Sequence, residues 1–199
     1  MQTMRPMVKA FRRPPAGRRR DRNGGFPHDL HRAMADGGWL GIAMPEEFGG
    51  AGLGITEATI MMQAIAESGG GASAASAVHM NIFGLNPVVV FGSAEQKARM
   101  LPPLIEGREK ACFGVTEPTS GTDTSRILTT AVRDGDDYII NGQKVWTSRA
   151  EYSDLMLVLA RTNPRDEGEK PLDGLSVFII DMQDAKGLTI KPLRAMLNH

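Results

Sequence analysis

This sequence has few of the residues that build cross-linked or metal-centred folds. Its 199 residues include one cysteine and four histidines. A single thiol excludes a disulfide framework and any cysteine-rich zinc module, and it favours a reducing compartment. We therefore predict no metal site.

Long apolar runs are missing as well. Leu155–Ala160 is among the longest, whereas a helix that crosses a bilayer needs about 20 apolar residues. No apolar core follows the positive charges near the N-terminus, as a secretory signal would require. The sequence therefore predicts neither a membrane protein nor a secreted one.

Common nucleotide-binding and metal-binding patterns are also absent. No Gly-x-Gly-x-x-Gly follows a predicted strand, and no P-loop Lys-Ser/Thr pair occurs. His28 and His31 are three residues apart without a further ligand nearby, so we interpret both as surface residues. His79 is interpreted as a core or interface histidine, and Cys112 as an inert buried thiol.

Charge divides the chain in two, although the formal net charge is zero. Residues 1–32 carry nine Lys/Arg against two Asp/Glu, and residues 33–199 carry fourteen against twenty-one. Residues 1–25 lack apolar periodicity, so we predict a disordered basic arm there. We favour a solvated tail over a nucleic-acid arm, a mitochondrial presequence or a frameshifted start, because the segment lacks interleaved aromatics and serine.

Residues 26–110 show helical periodicity broken by glycines, which predicts an all-α domain. A compact glycine-rich loop is expected at 38–54, and Pro102-Pro103 and Gly107 are expected to end the helical half. The predicted helices are one that begins near Pro27 and stops at Gly37, then Ile55–Ser68, Ala72–Gly84 with a restart or kink at Pro87, and one opened by the capping box Ser93–Gln96.

After Ala111 the apolar period changes to two, which predicts strands. Asn141-Gly142 predicts a type I′ hairpin turn, which needs a positive φ at both positions, and Asp134–Asp136 predicts a second turn. Helices followed by strands predict an α+β fold, with an N-terminal all-α helical domain and then a small antiparallel β-barrel or sandwich domain at 111–199. The predicted strands are Ile127–Arg133, Tyr138–Ile140, Gln143–Ser148, Asp154–Arg161, Gly174–Asp181 and Leu188–Lys191.

Two segments in the β half carry groups that could bind a ligand. Phe113–Ser125 leads from a strand into a loop rich in hydroxyls, where Gly121 would let the backbone approach a polar heterocycle or a phosphate. Asn141–Ser148 places Trp146 beside hydroxyls, where an aromatic plane would cover a flat cofactor. From the residues alone, a plain turn and a core tryptophan remain open, and the core position is the commoner one for a lone Trp.

Four motifs in order resemble the acyl-CoA dehydrogenase family. Thr-Glu-Pro-x-x-Gly-x-Asp occupies 116–123, and Asn-Gly-x-Lys-x-Trp-x-Ser occupies 141–148. Upstream, 38–53 resembles a loop of the family's N-terminal helical domain, and 91–97 resembles a later helix start. The resemblance runs from Phe26 to His199, whereas the arginine-rich segment does not look like the family's opening helix.

The resemblance implies that the β domain holds the isoalloxazine ring of FAD. Val115 and Thr116 would meet its pyrimidine edge, where donors stabilise the charge of the reduced ring. Trp146 would lie against the ring and Ser148 near its reactive nitrogen, while Thr122, usually a serine, would touch the acyl-CoA. The implied cofactor-binding residues are Phe113, Val115, Thr116, Gly121, Trp146, Thr147 and Ser148.

The family's reaction removes an α-proton with a carboxylate base while a β-hydride passes to the flavin. Glu117 is the nearby carboxylate, but Glu-Pro belongs to the loop motif, and the family's base lies in a C-terminal helical domain. We therefore assign no catalytic residue in this sequence. We expect the chain to lack that domain, to stop within an incomplete β domain, and to have little activity alone.

The resemblance also implies partners and a place in metabolism. These are an acyl-CoA substrate, an electron-transfer flavoprotein, a homo-oligomer in the full-length family, and fatty acid metabolism in the cytoplasm, or in the mitochondrial matrix of a eukaryote. A related flavin oxidase would share the motifs. The alternative from another class is a non-catalytic fragment that acts, if at all, through partner binding.

Overall fold

The computed structural model describes residues 25–163 and 172–193. The described residues separate into two compact units, one formed by 25–111 with 191–193 and the other by described residues within Cys112–Ile190. The described part of the first unit is helical, and that of the second is built on strands. The basic arm predicted at 1–25 lies outside the described residues, except for Gly25.

The helical unit contains five α-helices and three single turns within its described residues. The turns are 3-10 at Trp39–Gly41 and Glu46–Phe48, and π at Ala66–Gly70. The helices are α1 His28–Asp36, α2 Ile55–Ile65, α3 Gly71–Phe83, α4 Asn86–Phe91 and α5 Ala94–Ile105.

Local signals place the helix ends. The Ser93 side chain accepts from the Gln96 N–H at 3.2 Å, and Gln96 Oε1 accepts from the Ser93 N–H at 2.9 Å, which confirms the capping box that begins α5. The helix continues through Pro102-Pro103 to Ile105, and Gly107 follows with φ +70°, so the helical half ends within the predicted residues. Both prolines lie in the last turn, where their carbonyls accept from Glu106 and Arg108.

The second helix ends earlier than the predicted Ser68. After Ile65 the chain forms a π turn in which Gly69 has φ +98°, and Gly71 follows at φ +58°. Glycine tolerates these conformations without steric cost.

By length and hydropathy the stretch 55–91 is long and apolar enough to cross a membrane, and 44% of its most apolar window is buried inside the protein.

The β unit contains five strands in its described residues. Hydrogen-bonded neighbours follow the order β1-β4-β2-β3, and β5 pairs with β4. The pairs β2–β3 and β4–β5 are antiparallel, while β2 meets β4 in parallel at Thr130 and Arg161. The strands are β1 Ala111–Gly114, β2 Thr130–Asp134, β3 Asp137–Asn141, β4 Leu155–Arg161 and β5 Leu175–Asp181.

A helical unit followed by a β-sheet unit confirms the predicted α+β class. Within the β unit, Cys112, Met156 and Val158 form a buried cluster, with Ile180 and Met182 packed on it. Met156 and Val158 are two residues apart on β4, so their side chains lie on the same face of the sheet, and this face packs on Cys112 and Ile180.

The hairpin prediction at Asn141-Gly142 is wrong. The β2–β3 hairpin closes at Gly135-Asp136, where Asp134 pairs with Asp137 and Gly135 has φ +64°. Asn141 is the last residue of β3, and neither it nor Gly142 has a positive φ. Gly142 is needed for space, because a Cβ at this position would collide with the Thr129 side chain.

Two predicted strands do not form. Residues 143–148 run as irregular chain after β3, and 188–191 pair with no strand in the described part of the chain. The strand predicted to begin at Ile127 begins at Thr130, after a 3-10 turn at Thr124–Arg126. Alternating side chains are therefore not sufficient for a strand, because the backbone also needs an edge to pair with.

The close approach of Gly142 to Thr129 is testable. We expect Gly142→Ala to lower the free energy of unfolding by about 1–3 kcal/mol, the usual cost of forcing extra atoms into a packed contact. Urea denaturation followed by circular dichroism measures this change. Gly121→Ala is the matched control, because its Cβ would meet nothing within 4 Å; equal losses in both variants would contradict the packing role of Gly142.

Candidate functional site

A buried carboxylate organises the loop that follows β1. Glu117 is only 5% exposed, and its Oε2 accepts from the Leu128 N–H at 2.7 Å. Its Oε1 accepts from the Thr129 N–H at 2.9 Å, from the Thr129 hydroxyl, and from Lys144 Nζ at 2.8 Å. Each carboxylate oxygen is therefore paired, as a buried charge requires.

These donors decide the charge of Glu117. Burial raises its pKa, but the hydrogen bonds from Lys144, from Thr129 and from two backbone N–H groups outweigh it and bring the pKa to about 2. Burial lowers the pKa of Lys144, and Glu117 opposes that shift. An ionised carboxylate with so low a pKa is a poor proton acceptor near neutral pH, so the geometry gives Glu117 a structural task.

The cation of the pair joins the two motif segments. Lys144 Nζ donates to the Val115 carbonyl at 3.1 Å as well as to Glu117. Next to it, the Val145 N–H donates to the Thr116 carbonyl at 2.8 Å. The loop after β1 and the irregular segment after β3 are thus held side by side.

Trp146 comes directly after this junction. Its side chain is 69% exposed, so the alternative of an ordinary core tryptophan is wrong. Its φ is +61°, and Arg149 has φ +55° with its side chain buried. Positive φ in non-glycine residues costs about 1–3 kcal/mol and clusters at functional sites.

Two consecutive turns after Thr116, one at Pro118-Thr119 and one at Gly121-Thr122, are closed by hydrogen bonds. Glu117 and Ser120 exchange backbone hydrogen bonds of 2.8 and 3.2 Å, and the Ser120 hydroxyl donates to the Asp123 carbonyl at 2.7 Å. Gly121 and Thr122 lie exposed at the tip, and a Cβ on Gly121 would meet open space. A ligand can therefore approach this backbone closely.

Only some of the predicted site residues lie on segments that are joined by hydrogen bonds. Val115 and Thr116 are tied to the segment that carries Trp146, Thr147 and Ser148. Thr147 is half-buried and Ser148 is exposed, while Phe113 is half-buried in β1. Gly121 and Thr122 belong to the neighbouring turn, beyond Ser120.

The structure shows how far the histidines and the cysteine are buried. His28 is exposed, but His31 is 2% exposed, with its ring centroid 5.2 Å from that of Phe26, so its interpretation as a surface residue is wrong. His79 is partly buried and its Nδ1 lies 2.8 Å from the Ser76 carbonyl, as the core interpretation predicts. Burial raises the pKa of the Cys112 thiol to about 11, which fits an inert cysteine.

Sequence reasoning missed the parts played by Lys144, Thr129 and Arg149. Lys144 is part of the second motif, but nothing local marks it as the partner of Glu117, 27 residues away. Burial lowers the pKa of Arg149 to about 10. Five residues, including the 3-10 turn Ala150–Tyr152, separate Arg149 from β4, so the sequence carries no local signal that this Arg is buried.

Two family models match this chain. The family model described as "Acyl-CoA dehydrogenase, N-terminal domain" matches residues 1–108, and that described as "Acyl-CoA dehydrogenase, middle domain" matches 112–198. This chain belongs to the acyl-CoA dehydrogenase family. The first match begins at residue 1. The resemblance therefore extends further toward the N-terminus than its predicted start near Phe26.

Curated acyl-CoA dehydrogenases are similar to this chain along most of its length. Acyl-CoA dehydrogenase FadE26 of Mycobacterium tuberculosis is 37% identical over 82% of this chain and 40% of its own. The probable acyl-CoA dehydrogenase YngJ of Bacillus subtilis is 35% identical over 95% of this chain and 49% of its own. The chain therefore spans less than half the length of these two relatives.

Solved acyl-CoA dehydrogenases have the same fold over this part. A probable acyl-CoA dehydrogenase from Mycobacterium abscessus is 30% identical with a TM-score of 0.85, over 97% of this chain and 50% of its own. A glutaryl-CoA dehydrogenase from Mycobacterium smegmatis, described in complex with FADH2, is 26% identical with a TM-score of 0.82, over 97% and 48%. The acyl-CoA dehydrogenase family is FAD-dependent.

Removing the charge of Glu117 tests its structural task. We expect Glu117→Gln to lower the free energy of unfolding by about 3–5 kcal/mol, because it leaves Lys144 buried without its anion. Urea denaturation measures the loss. Glu151→Gln, an exposed carboxamide substitution in the same unit, should change stability by no more than about 0.5 kcal/mol; a Glu117→Gln variant as stable as this control would contradict the assignment.

The low pKa of Glu117 predicts that the protein loses folding stability in acid. The pKa of Glu117 falls from 4.5 to about 2 on folding, so its stabilisation is complete above pH 4.5 and is lost as the pH falls toward 2. We expect the stability difference between wild type and Glu117→Gln to shrink over this range. Urea midpoints at successive pH values measure it, and a constant difference would contradict the pairing.

Proposed function

We propose that this chain supplies the flavin-binding and thioester-contacting part of an enzyme that catalyses FAD-dependent α,β-dehydrogenation of an acyl-CoA thioester. The observation that carries the proposal is the junction of the two motif segments. Val115 and Thr116 are fixed by hydrogen bonds beside Trp146, whose exposed indole is available to cover a flat ring. Membership of an FAD-dependent family supports the same function.

The residues at the junction fit an isoalloxazine ring. Backbone groups at Val115 and Thr116 would bind its pyrimidine edge, and Trp146 would cover one face, with Thr147 and Ser148 following along the ring. These side chains are exposed or half-buried, as a contact surface requires. Phe113 and Gly121 would complete the border, since Gly121 faces open space.

Bound FAD would supply the hydride acceptor for the reaction. Fixed donors at Val115 and Thr116 would stabilise negative charge at the pyrimidine edge, because they are oriented before that charge develops. The exposed hydroxyl of Thr122 would orient the acyl-CoA.

The base that removes the α-proton is not Glu117. Its carboxylate is buried and holds Lys144, Leu128 and Thr129. We therefore expect the 199-residue chain alone to show little acyl-CoA-dependent dye reduction even when loaded with FAD. Clear turnover, abolished by Glu117→Asp but not by Glu151→Asp, would return Glu117 to the role of base.

Partners and location belong to the same proposal. One structural neighbour is described as the ChsE4–ChsE5 complex of Mycobacterium tuberculosis, which supports an assembly of several chains for the full-length enzyme. We propose that electrons leave to an electron-transfer flavoprotein. We further propose a role in fatty acid metabolism in the cytoplasm, or in the mitochondrial matrix if the source is eukaryotic.

A second candidate function is partner binding without catalysis. The observation that favours it is the cluster of exposed apolar residues at the end of α3 and along α4. Phe91 is 85% exposed, Val90 54% and Phe83 45%. Exposed apolar surface of this kind marks contact sites for other proteins.

FAD binding separates the two candidates. We expect the purified chain to bind FAD, and Trp146→Ala to raise the dissociation constant about tenfold, since loss of one aromatic stack costs about 1.5 kcal/mol. Quenching of flavin fluorescence in a titration measures this. Tyr138→Ala is the matched control, because Tyr138 is also an exposed aromatic of the β unit.

The outcomes are distinct. No binding of FAD by the wild-type chain would favour the second candidate. Equal weakening by Trp146→Ala and Tyr138→Ala would remove Trp146 from the site.

A further inference from the structure

Lys144 fixes a single peptide group between Val115 and Thr116. Its ammonium donates to the Val115 carbonyl at 3.1 Å and to Glu117 Oε1 at 2.8 Å, and its side chain is only 10% exposed. A buried ammonium held by two acceptors has little freedom to turn. The carbonyl of Val115 is therefore held in one direction.

The direction of that carbonyl determines the direction of the next N–H. The peptide unit is planar, and the described chain contains no cis peptide bond, so the Thr116 N–H points opposite to the Val115 carbonyl. Lys144 lies on the carbonyl side. The Thr116 N–H is therefore directed away from Lys144.

The neighbouring peptide is fixed independently. The Thr116 carbonyl accepts from the Val145 N–H at 2.8 Å, and the Glu117 N–H donates to the Ser120 carbonyl at 2.8 Å. Both polar groups of that peptide are used inside the protein. Between Val115 and Glu117, the Thr116 N–H is thus the donor whose direction depends on Lys144.

The anion of the pair connects this arrangement to the sheet. Glu117 accepts from the N–H groups of Leu128 and Thr129, just before β2 begins at Thr130. Thr129 in turn leaves no room for a Cβ on Gly142, two residues before Lys144. The position of Lys144 is therefore set by the sheet, through contacts on both sides.

We propose that Lys144 is a positioning residue of the flavin site, which aims the Thr116 N–H at the pyrimidine edge of the ring by holding the Val115 carbonyl. This inference rests on the proposed function. Glu117 holds Lys144 in place, and neither side chain takes part in hydride or proton transfer. The pair acts on the flavin only through the peptide that it orients.

The decisive comparison uses a variant designed to stay folded. Lys144→Met alone leaves the buried Glu117 carboxylate without its counter-ion, so it is combined with Glu117→Gln. The double variant removes both charges and keeps similar volumes, and such neutral replacements are often tolerated. Met cannot donate to the Val115 carbonyl. Lys186→Met is the matched control, because Lys186 is an exposed lysine of the same unit.

Two measurements test the proposal. In the ligand-free chain, the NMR amide resonance of Thr116 should move in the double variant and stay in place in Lys186→Met. With FAD, we expect the dissociation constant to rise by up to about tenfold, the cost of a misplaced neutral donor. We also expect the reduction potential of the bound flavin to fall, because the negative charge of the reduced ring loses a donor. Lys186→Met should match wild type in both.

The results distinguish a failure of the proposed function from a failure of the positioning role of Lys144. If wild type binds no FAD, the proposed function fails, and the amide resonance alone decides whether Lys144 sets the Thr116 peptide. If wild type binds FAD and the folded double variant equals Lys186→Met in affinity and potential, the positioning role is overturned. Unfolding of the double variant at room temperature would show a purely structural pair and would also overturn it.

Discussion

The carboxylate of Glu117 is the constraint on which the β unit's loops depend. An ionised group in the protein interior needs hydrogen-bond donors and a counter-ion, and Glu117 finds them in two other segments, at Leu128-Thr129 and at Lys144. Satisfying one charge therefore brings together the loop after β1, the entry to β2 and the chain after β3. The turn residues between them have little freedom left, because their ends are held.

The contacts that hold the segment after β3 also explain why a strained backbone conformation is tolerated at Trp146. Trp146 has a positive φ although it bears a bulky side chain, and such a residue persists only where the surrounding contacts over-determine it. Lys144 and Val145, directly before it, provide those contacts. A large aromatic is thereby presented to solvent, which no packing argument within the chain would favour.

Local chemistry made much of the fold predictable. The capping box at Ser93 and the turn at Gly135 follow from interactions within a few residues, and the long strands β4 and β5 follow from an apolar run along one segment. The Asn141-Gly142 turn failed for the opposite reason. Glycine is required at 142 because a Cβ would collide with Thr129, which is distant in the sequence, and not because a turn forms there. A single sequence carries no local sign of such a contact.

The site was predictable as a set of motifs but not as a geometry. Thr116 and Trp146 were found because they belong to motifs, whereas the roles of Lys144 and Thr129 arise from hydrogen bonds across 27 and 12 residues. Charge pairing over such distances depends on the fold being already formed. A buried Lys and an exposed Lys look alike until the sheet that surrounds one of them is known.

The burial of Cys112 has a practical consequence. The chain's single thiol is enclosed in the β core and holds its proton at neutral pH. A cysteine introduced at any exposed position would therefore be the one nucleophilic sulfur available to a maleimide or a spin label. The native sequence is already a single-site labelling background, in which the surroundings of one chosen position can be followed without first removing a native residue.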